Sequence, residues 1–326
     1  MVDEVLLRET PSRFVVFPLQ FKKMWQYYKK HIESFWSADE MEVQDDVVSF
    51  DKLNHDERTF VIRQFASLSA TAEIYHCGLI SHISGEVQVS EARSFYGFQV
   101  AMERFHLEVY QKAIESFVAE GHERDQILAL RSKDESIRQK IDWVLSLSSE
   151  LKTFDERLIG FSVFLGVLHA AEFASLLSMS DTRNLPNIKK AISHITSDKA
   201  IHRDFGMFLR SYLEKKTSES RIKEIVEKAV QLEESFIDAD GDVSSVEGID
   251  LDKLKHYVRY SADMMMTQMG CKKIYNVQNP FNFTEAFDVK NPSAFAHNKE
   301  EKTEGFQEST VSDEEQERKF DMDLDF

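Results

Sequence analysis

Apolar side chains recur every three or four residues through most of the chain, which places them on one face of an α-helix. The same spacing predicts helices over 19–37, 56–82, 89–120, 123–147, 154–179, 188–195, 198–215, 221–236 and 252–269. In the first of these segments the apolar stripe consists of Phe21, Trp25, Tyr28, Ile32 and Phe35. No run of alternating apolar and polar residues is long enough to predict a strand. The pattern therefore predicts an all-α protein.

Proline and glycine mark where the predicted helices stop. The chain has only 5 Pro and 11 Gly, so turns are few and the elements between them are long. Pro186 and Gly270 are predicted to end helices, and Asn279-Pro280 to open an extended segment.

The composition changes near residue 289, and this divides the chain into an N-terminal arm (1–10), a helical domain (11–288) and a flexible acidic tail (289–326). In the last seven residues, apolar and acidic side chains alternate. They are Phe320, Asp321, Met322, Asp323, Leu324, Asp325 and Phe326. Apolar residues at the tip of a solvated tail predict a docking peptide. The alternative is an acidic terminus without a partner.

The formal net charge of −17 argues against nucleic acid and against an anionic membrane surface as partners. The two cysteines, Cys77 and Cys271, provide neither a disulfide framework nor a zinc-finger spacing, which suits a reducing compartment. No signal peptide and no uncharged run of membrane-spanning length are recognisable. We therefore expect a cytoplasmic protein.

Glu103 and His106 form a Glu-x-x-His pair within a strongly helical segment. Residues three apart share a helix face, so this carboxylate and imidazole can bind one metal ion, as in di-iron helical bundles. Tyr110 lies four residues further on the same face. The alternative interpretation is that Glu and His occur at this spacing by chance on a solvent-exposed helix face. The apolar neighbours Met102 and Phe105 instead indicate that the pair is buried.

A dimetal bundle needs a second such pair, and the sequence DKAIH at 198–202 supplies only half of it. His202 is present, but the residue three before it is Lys199 rather than a glutamate. From these residues alone, the prediction is a helical protein with half a metal site.

Several segments together resemble the small subunit of ribonucleotide reductase. They are SEARSFYGFQVAME at 90–103, SFWSADE at 34–40, DW at 142–143, NPFNF at 279–283 and the acidic peptide ending in Phe326. The resemblance runs in order from about residue 11 to the end. It implies a ferritin-like helical bundle that packs as a dimer.

The resemblance also implies two irons held by one aspartate, three glutamates and two histidines. Glu103, His106 and His202 match three of these ligands, whereas the other three positions carry Ala72, Leu165 and Lys199. Two closely spaced cations need anionic oxygen to bind together. We therefore expect no di-iron cofactor in this chain.

Lys199 is expected to replace the missing metal charge by pairing with Glu103. Polar residues near the lost ligand positions allow a different outcome, a rebuilt site for a single iron or zinc formed with His106 and His202. These residues are Glu73, His76, His169 and Glu172. The competing interpretation is that they are hydrogen-bonded polar residues that fill space.

By the same resemblance, Trp36, Asp198 and His106 match a radical-transfer path, and Tyr110 matches the radical tyrosine. The alternative roles are a core tryptophan, a helix N-cap at Asp198 and a hydrogen-bonded buried tyrosine. The family also has a relay tyrosine in its C-terminal tail. The matching position in this chain lies near Phe306, whose side chain has no phenol hydroxyl.

Together these features predict an accessory small subunit of ribonucleoside-diphosphate reductase, supporting deoxyribonucleotide synthesis for DNA replication. Its expected partners are the large subunit and a second small subunit, either a metal-bearing paralogue or a copy of itself. Two alternatives are a catalytically competent radical subunit or oxidase with a remade metal site, and a regulatory protein outside the reductase.

Overall fold

The computed structural model describes residues 4–75, 78, 80–118 and 133–282. Within these ranges all regular structure is helical and no strand occurs, so the predicted all-α fold is confirmed. The α-helices are α1 (Lys22–Glu33), α2 (Val47–Phe50), α3 (His55–Tyr75), α4 (Ser81–Glu86), α5 (Ser90–Phe117), α6 (Glu135–Glu150), α7 (Phe154–Gly166), α8 (Ala170–Thr182), α9 (Pro186–Ser211), α10 (Glu219–Asp238) and α11 (Leu251–Gln268). Short 3-10 helices cover Pro11–Phe14, Ala38–Met41 and Val43–Asp46.

The long helices pack side by side into a bundle. Helix α5 packs against α1 and α3, α9 packs against α7 and α8, and α5 also meets α9 directly. Buried apolar side chains form two large clusters along these contacts. Polar residues on the facing sides of α5 and α9 are therefore enclosed by the core.

The predicted single helix over 154–179 is wrong, because the chain leaves helical geometry between Gly166 and Ala170. Met265 packs against Gly166. A Cβ added at Gly166 would lie only 2.8 Å from the sulfur of Met265. The interrupted stretch is long and apolar enough to cross a membrane by length and composition, but 94% of its apolar window is buried inside the protein. Such burial is typical of a core helix in a folded domain.

The predicted break between residues 195 and 198 is also wrong. Helix α9 runs without interruption through this region, so Asp198 lies in its interior and is not an N-cap. Pro186 begins α9 rather than ending a helix. The first helical position suits proline, since its backbone nitrogen has no intrahelical acceptor there.

The segment after α11 is fixed to the bundle by one buried carboxylate. Gly270 ends α11 with a φ of 75°, as predicted for a glycine after a helix. The Asp263 carboxylate then accepts backbone hydrogen bonds from Ile274 and Tyr275, at 2.8 Å each, and from Val277 at 3.0 Å.

Some predictions fall outside the described residues. They concern His76, Cys77, Phe306 and the docking peptide 320–326.

Candidate functional site

The predicted site residues come from two facing helices. Helix α5 contributes Glu103 and His106, and α9 contributes Asp198, Lys199 and His202. Each pair three residues apart lies on one helix face, as the spacing predicts. All five residues are buried.

Lys199 and Glu103 form the predicted ion pair. The Lys199 ammonium donates to Glu103 Oε2 at 2.5 Å, and the two side chains are 7% and 2% exposed. Burial raises the pKa of Glu103, but the Lys199 charge and hydrogen bonds with His106 and His202 outweigh it and hold that pKa well below its usual value. The carboxylate is therefore ionised at neutral pH.

The two predicted histidines meet the same carboxylate. His202 Nδ1 lies 3.0 Å from Glu103 Oε1, and His106 Nδ1 lies 3.4 Å from Glu103 Oε2. Both carboxylate oxygens are thus engaged by side chains of the protein.

The space around the Lys199 ammonium is lined by aromatic rings. Its Nζ lies 5.4 Å from the centroid of Tyr75 and 6.0 Å from that of Phe164, and these two rings stack 4.1 Å apart. Ala72 lies one helical turn before Tyr75 and Leu165 directly follows Phe164, and both are buried. Two positions where the resemblance implies carboxylates are thus apolar and enclosed.

His31 is a member of the site that the sequence pattern missed. Its Nε2 lies 3.1 Å from His202 Nε2. The buried residues of α1 are Met24 and His31, seven residues apart, rather than the predicted apolar stripe. Burial, with a smaller effect of His202, lowers the pKa of His31 to about 3.

Trp36, Asp198 and His106 form one continuous hydrogen-bonded chain. Asp198 Oδ2 accepts from Trp36 Nε1 at 2.9 Å and lies 3.0 Å from His106 Nε2. Burial lowers the pKa of His106, but the Glu103 charge and the Asp198 hydrogen bond outweigh burial and raise it. The residues that the resemblance assigns to a relay are therefore in contact.

Tyr110 is buried, and its hydroxyl has no hydrogen-bond partner among the described residues. The described residues therefore provide no hydrogen bond for the interpretation of Tyr110 as a hydrogen-bonded core tyrosine. Burial raises its pKa well above the usual value, so the phenol is neutral.

The predicted rebuilt site is not assembled from its described members. Glu73 forms a partly exposed ion pair with Arg104 at 2.6 Å. His169 and Glu172 follow the break after α7, so they do not continue the face of Leu165. They contact each other, with His169 Nδ1 3.0 Å from Glu172 Oε1, and belong to a separate cluster described below.

Comparisons with known proteins agree on one family. The family model "Ribonucleotide reductase, small chain" matches residues 13–280. Subunit M2 of ribonucleoside-diphosphate reductase from Rattus norvegicus is 33% identical over 99% of this chain and 82% of its own length. The human M2 subunit is 32% identical over the same shares of the two chains.

Solved structures show the same fold. The ribonucleotide reductase Rnr4 homodimer from Saccharomyces cerevisiae matches with a TM-score of 0.79 and 31% identity, covering 87% of this chain and 90% of that one. The dimanganese NrdF of Streptococcus sanguinis matches with a TM-score of 0.68 at 17% identity, covering 79% and 92%. The ferritin-like architecture expected from the resemblance is confirmed.

Replacing Lys199 by Met should destabilise the fold by about 3–5 kcal/mol, because a buried carboxylate would lose its counter-charge. The measurement is the free energy of unfolding in urea. The double variant Glu103→Gln with Lys199→Met removes both charges and should recover most of the loss. Lys112→Met is the matched control on the surface of α5, where Lys112 pairs with the exposed Asp39, and it should change stability little. An unchanged stability of Lys199→Met would contradict the role of the pair.

Acidification should destabilise the protein partly through His31. Its folded pKa of about 3 lies below the usual value of 6.5, so the unfolded chain takes up a proton first as the pH falls. Stability is therefore lost between pH 6.5 and 3, and the loss from this residue at pH 5 is about 2 kcal/mol.

The measurement for His31 is urea unfolding at pH 7.5 and pH 5. His31→Asn should lose less stability on acidification than the wild type, whereas substitution of the exposed His55 by Asn should not alter the loss. Equal losses in wild type and His31→Asn would show that His31 does not titrate in this way.

Proposed function

Since the chain belongs to the ribonucleotide reductase small-chain family, we propose that it acts as an accessory small subunit of ribonucleoside-diphosphate reductase. In this role it supports a metal-bearing small subunit and does not generate the radical itself. As a small subunit it serves deoxyribonucleotide synthesis, and through it DNA replication.

The contact between Lys199 and Glu103 carries this proposal. Two divalent ions a few ångströms apart repel each other strongly, and carboxylates normally offset that repulsion. Here the positions that match metal ligands offer one carboxylate, that of Glu103, and an ammonium already neutralises it. The donor set of Glu103, His106 and His202 does not fit a pair of metal ions.

The hydrogen bonds among Trp36, Asp198 and His106 can be explained without radical transfer. Asp198 is buried, and two N–H donors compensate its charge. The same contacts hold α9 against α5 and against the segment before the 3-10 helix Ala38–Met41. In an accessory subunit these residues therefore act as structural contacts.

The proposed partners follow from the same role. The Saccharomyces cerevisiae relative is a homodimer in its solved structure. We extend dimer formation to this chain, either with a copy of itself or with a metal-bearing paralogue. The alternating peptide 320–326 is proposed to dock on the large subunit, in the cytoplasm.

One observation favours the alternative of a competent subunit with a remade metal site. His169, Glu172 and Glu233 place ligand-type atoms within 4.8 Å of one another. However, the Lys140 ammonium contacts both glutamates of this group. The accessory role therefore agrees better with the side chains present.

The metal content of the purified full chain tests the proposal. After addition of ferrous iron and oxygen, we expect far less than one iron per chain and no tyrosyl-radical signal in electron paramagnetic resonance. The matched variant restores the missing carboxylates by Ala72→Asp, Leu165→Glu and Lys199→Glu together, and it should bind more iron. Near-stoichiometric iron pairs or a radical signal in the wild type would contradict the accessory role.

Deleting residues 320–326 should abolish binding to the large subunit, because the apolar side chains of the peptide would be lost. Binding can be measured by surface plasmon resonance, with circular dichroism and gel filtration confirming that the truncated chain keeps its fold and assembly. Undiminished binding would show that docking depends on another surface.

A further inference from the structure

Helix α1 is basic, although the protein as a whole is acidic. Its sequence, KKMWQYYKKHIE, contains four lysines and one glutamate, whereas the whole chain has a formal net charge of −17. Met24 and His31 are buried against the bundle, which leaves Lys22 and Lys29 exposed on the opposite side. Trp25 lies three residues after Lys22 and four before Lys29, so it borders the same side of the helix.

Aromatic rings lie beside these lysines on the surface. Phe17 is 66% exposed and packs edge-on against the half-buried Trp25, with ring centroids 5.5 Å apart. The half-buried Tyr28 lies 4.9 Å from Trp25 on the same measure. Exposed apolar side chains that adjoin one another mark an interaction site. The α1 face consists of Phe17, Lys22, Trp25, Tyr28 and Lys29.

The positive charge of the α1 face is not neutralised by the part of the chain that the structure describes. Neither Lys22 nor Lys29 forms an ion pair there. Other surface lysines do form such pairs, as Lys112 does with Asp39 at 2.6 Å. A basic surface with exposed aromatic rings fits a peptide that carries carboxylates and apolar side chains together.

The C-terminal peptide 320–326 of this chain has that composition. Three aspartates alternate with Phe320, Met322, Leu324 and Phe326. The carboxylates match the two lysines of the α1 face, and the apolar side chains match its aromatic rings.

The peptide can reach the α1 face of its own chain. The described part of the chain ends just after Phe281, whose ring lies 5.6 Å from that of Tyr257 on α11. Residues 283–319 span at most roughly 120–130 Å when fully extended. A domain of this length has a radius of gyration of roughly 19 Å, so every side of the bundle is within range.

A second copy of the chain matches the α1 face less well than the peptide does. In a two-fold contact through this face, Lys22 and Lys29 of one copy would approach the same lysines of the other, and like charges repel. The peptide brings the opposite charge. Its attachment to the same chain also gives it a local concentration of about the millimolar range, so that even a weak contact is populated.

We propose that the peptide 320–326 docks on the α1 face of its own chain and is thereby withheld from the large subunit. This inference rests on the proposed role of the peptide in binding the large subunit. Only the chains whose peptide is released bind, so the apparent Kd for the large subunit rises by the inverse of the released fraction. If half of the peptides are docked, the increase is about twofold.

Quenching of tryptophan fluorescence by acrylamide tests the contact without the large subunit. Trp36 and Trp143 are 2% and 9% exposed, so Trp25 is the tryptophan that acrylamide reaches most easily. Deleting residues 320–326 should raise the quenching constant, and about 1 M NaCl should remove the difference because it screens the ion pairs. In chains carrying Trp25→Phe the deletion should change nothing, and circular dichroism confirms that each chain is folded.

Binding to the large subunit tests the competition. The full chain carrying Lys22→Glu with Lys29→Glu should bind about twofold more tightly in surface plasmon resonance, because its peptide is released. The matched control reverses two exposed lysines elsewhere, Lys223→Glu on α10 with Lys253→Glu on α11, and should bind like the wild type.

Equal quenching with and without the peptide would overturn the proposal, as would binding of the α1 variant that is no tighter than that of the control. A mixture of the truncated chain with full-length Trp25→Phe chain is measured as well. Protection of Trp25 in that mixture would assign the peptide to a neighbouring copy and would also overturn docking within one chain. If the wild type does not bind the large subunit, the proposed role of the peptide fails, whereas the quenching result still decides whether the contact exists.

Discussion

A buried carboxylate must have a compensating charge, and in this protein the ammonium of Lys199 supplies it for Glu103. The two imidazoles that the resemblance identifies as metal ligands, His106 and His202, now hydrogen-bond to the same carboxylate. A covalently attached cation differs from a metal ion in one important respect: it is always present and needs no loading. The site can therefore hold the bundle together without cofactor chemistry.

The cluster around Lys140 applies the same electrostatics at a second place. There the Lys140 ammonium pairs with Glu172, contacts Glu233, and donates to the Leu168 carbonyl where α7 and α8 separate. Burial and the Glu172 charge raise the pKa of Glu233 well above its usual value, so the ammonium balances one ionised carboxylate. In both clusters a lysine ammonium contacts buried glutamate side chains directly. The chain therefore keeps the helical architecture of its family and places lysine ammonium groups against buried glutamates at both sites.

The sequence predicted those features that depend on local spacing. Helical periodicity predicted the elements, and the three-residue spacing of Glu103 with His106 and of Lys199 with His202 predicted the shared faces. Features that depend on contacts between distant elements were missed. The break after Gly166 is supported by Lys140 and Glu233, and Glu233 is separated from Glu172 by 61 residues. His31 joins the site only because α1 packs on α5, so no pattern within α1 distinguishes it from a surface histidine.

Crystals of the full chain grown with ferrous iron, with diffraction recorded at the iron absorption edge, would show whether metal or the Lys199 ammonium lies between α5 and α9. Our expectation is no anomalous peak between α5 and α9, and density for the Lys199 ammonium within hydrogen-bonding distance of Glu103. A pair of anomalous peaks flanked by Glu103, His106 and His202, with Lys199 turned away, would contradict it.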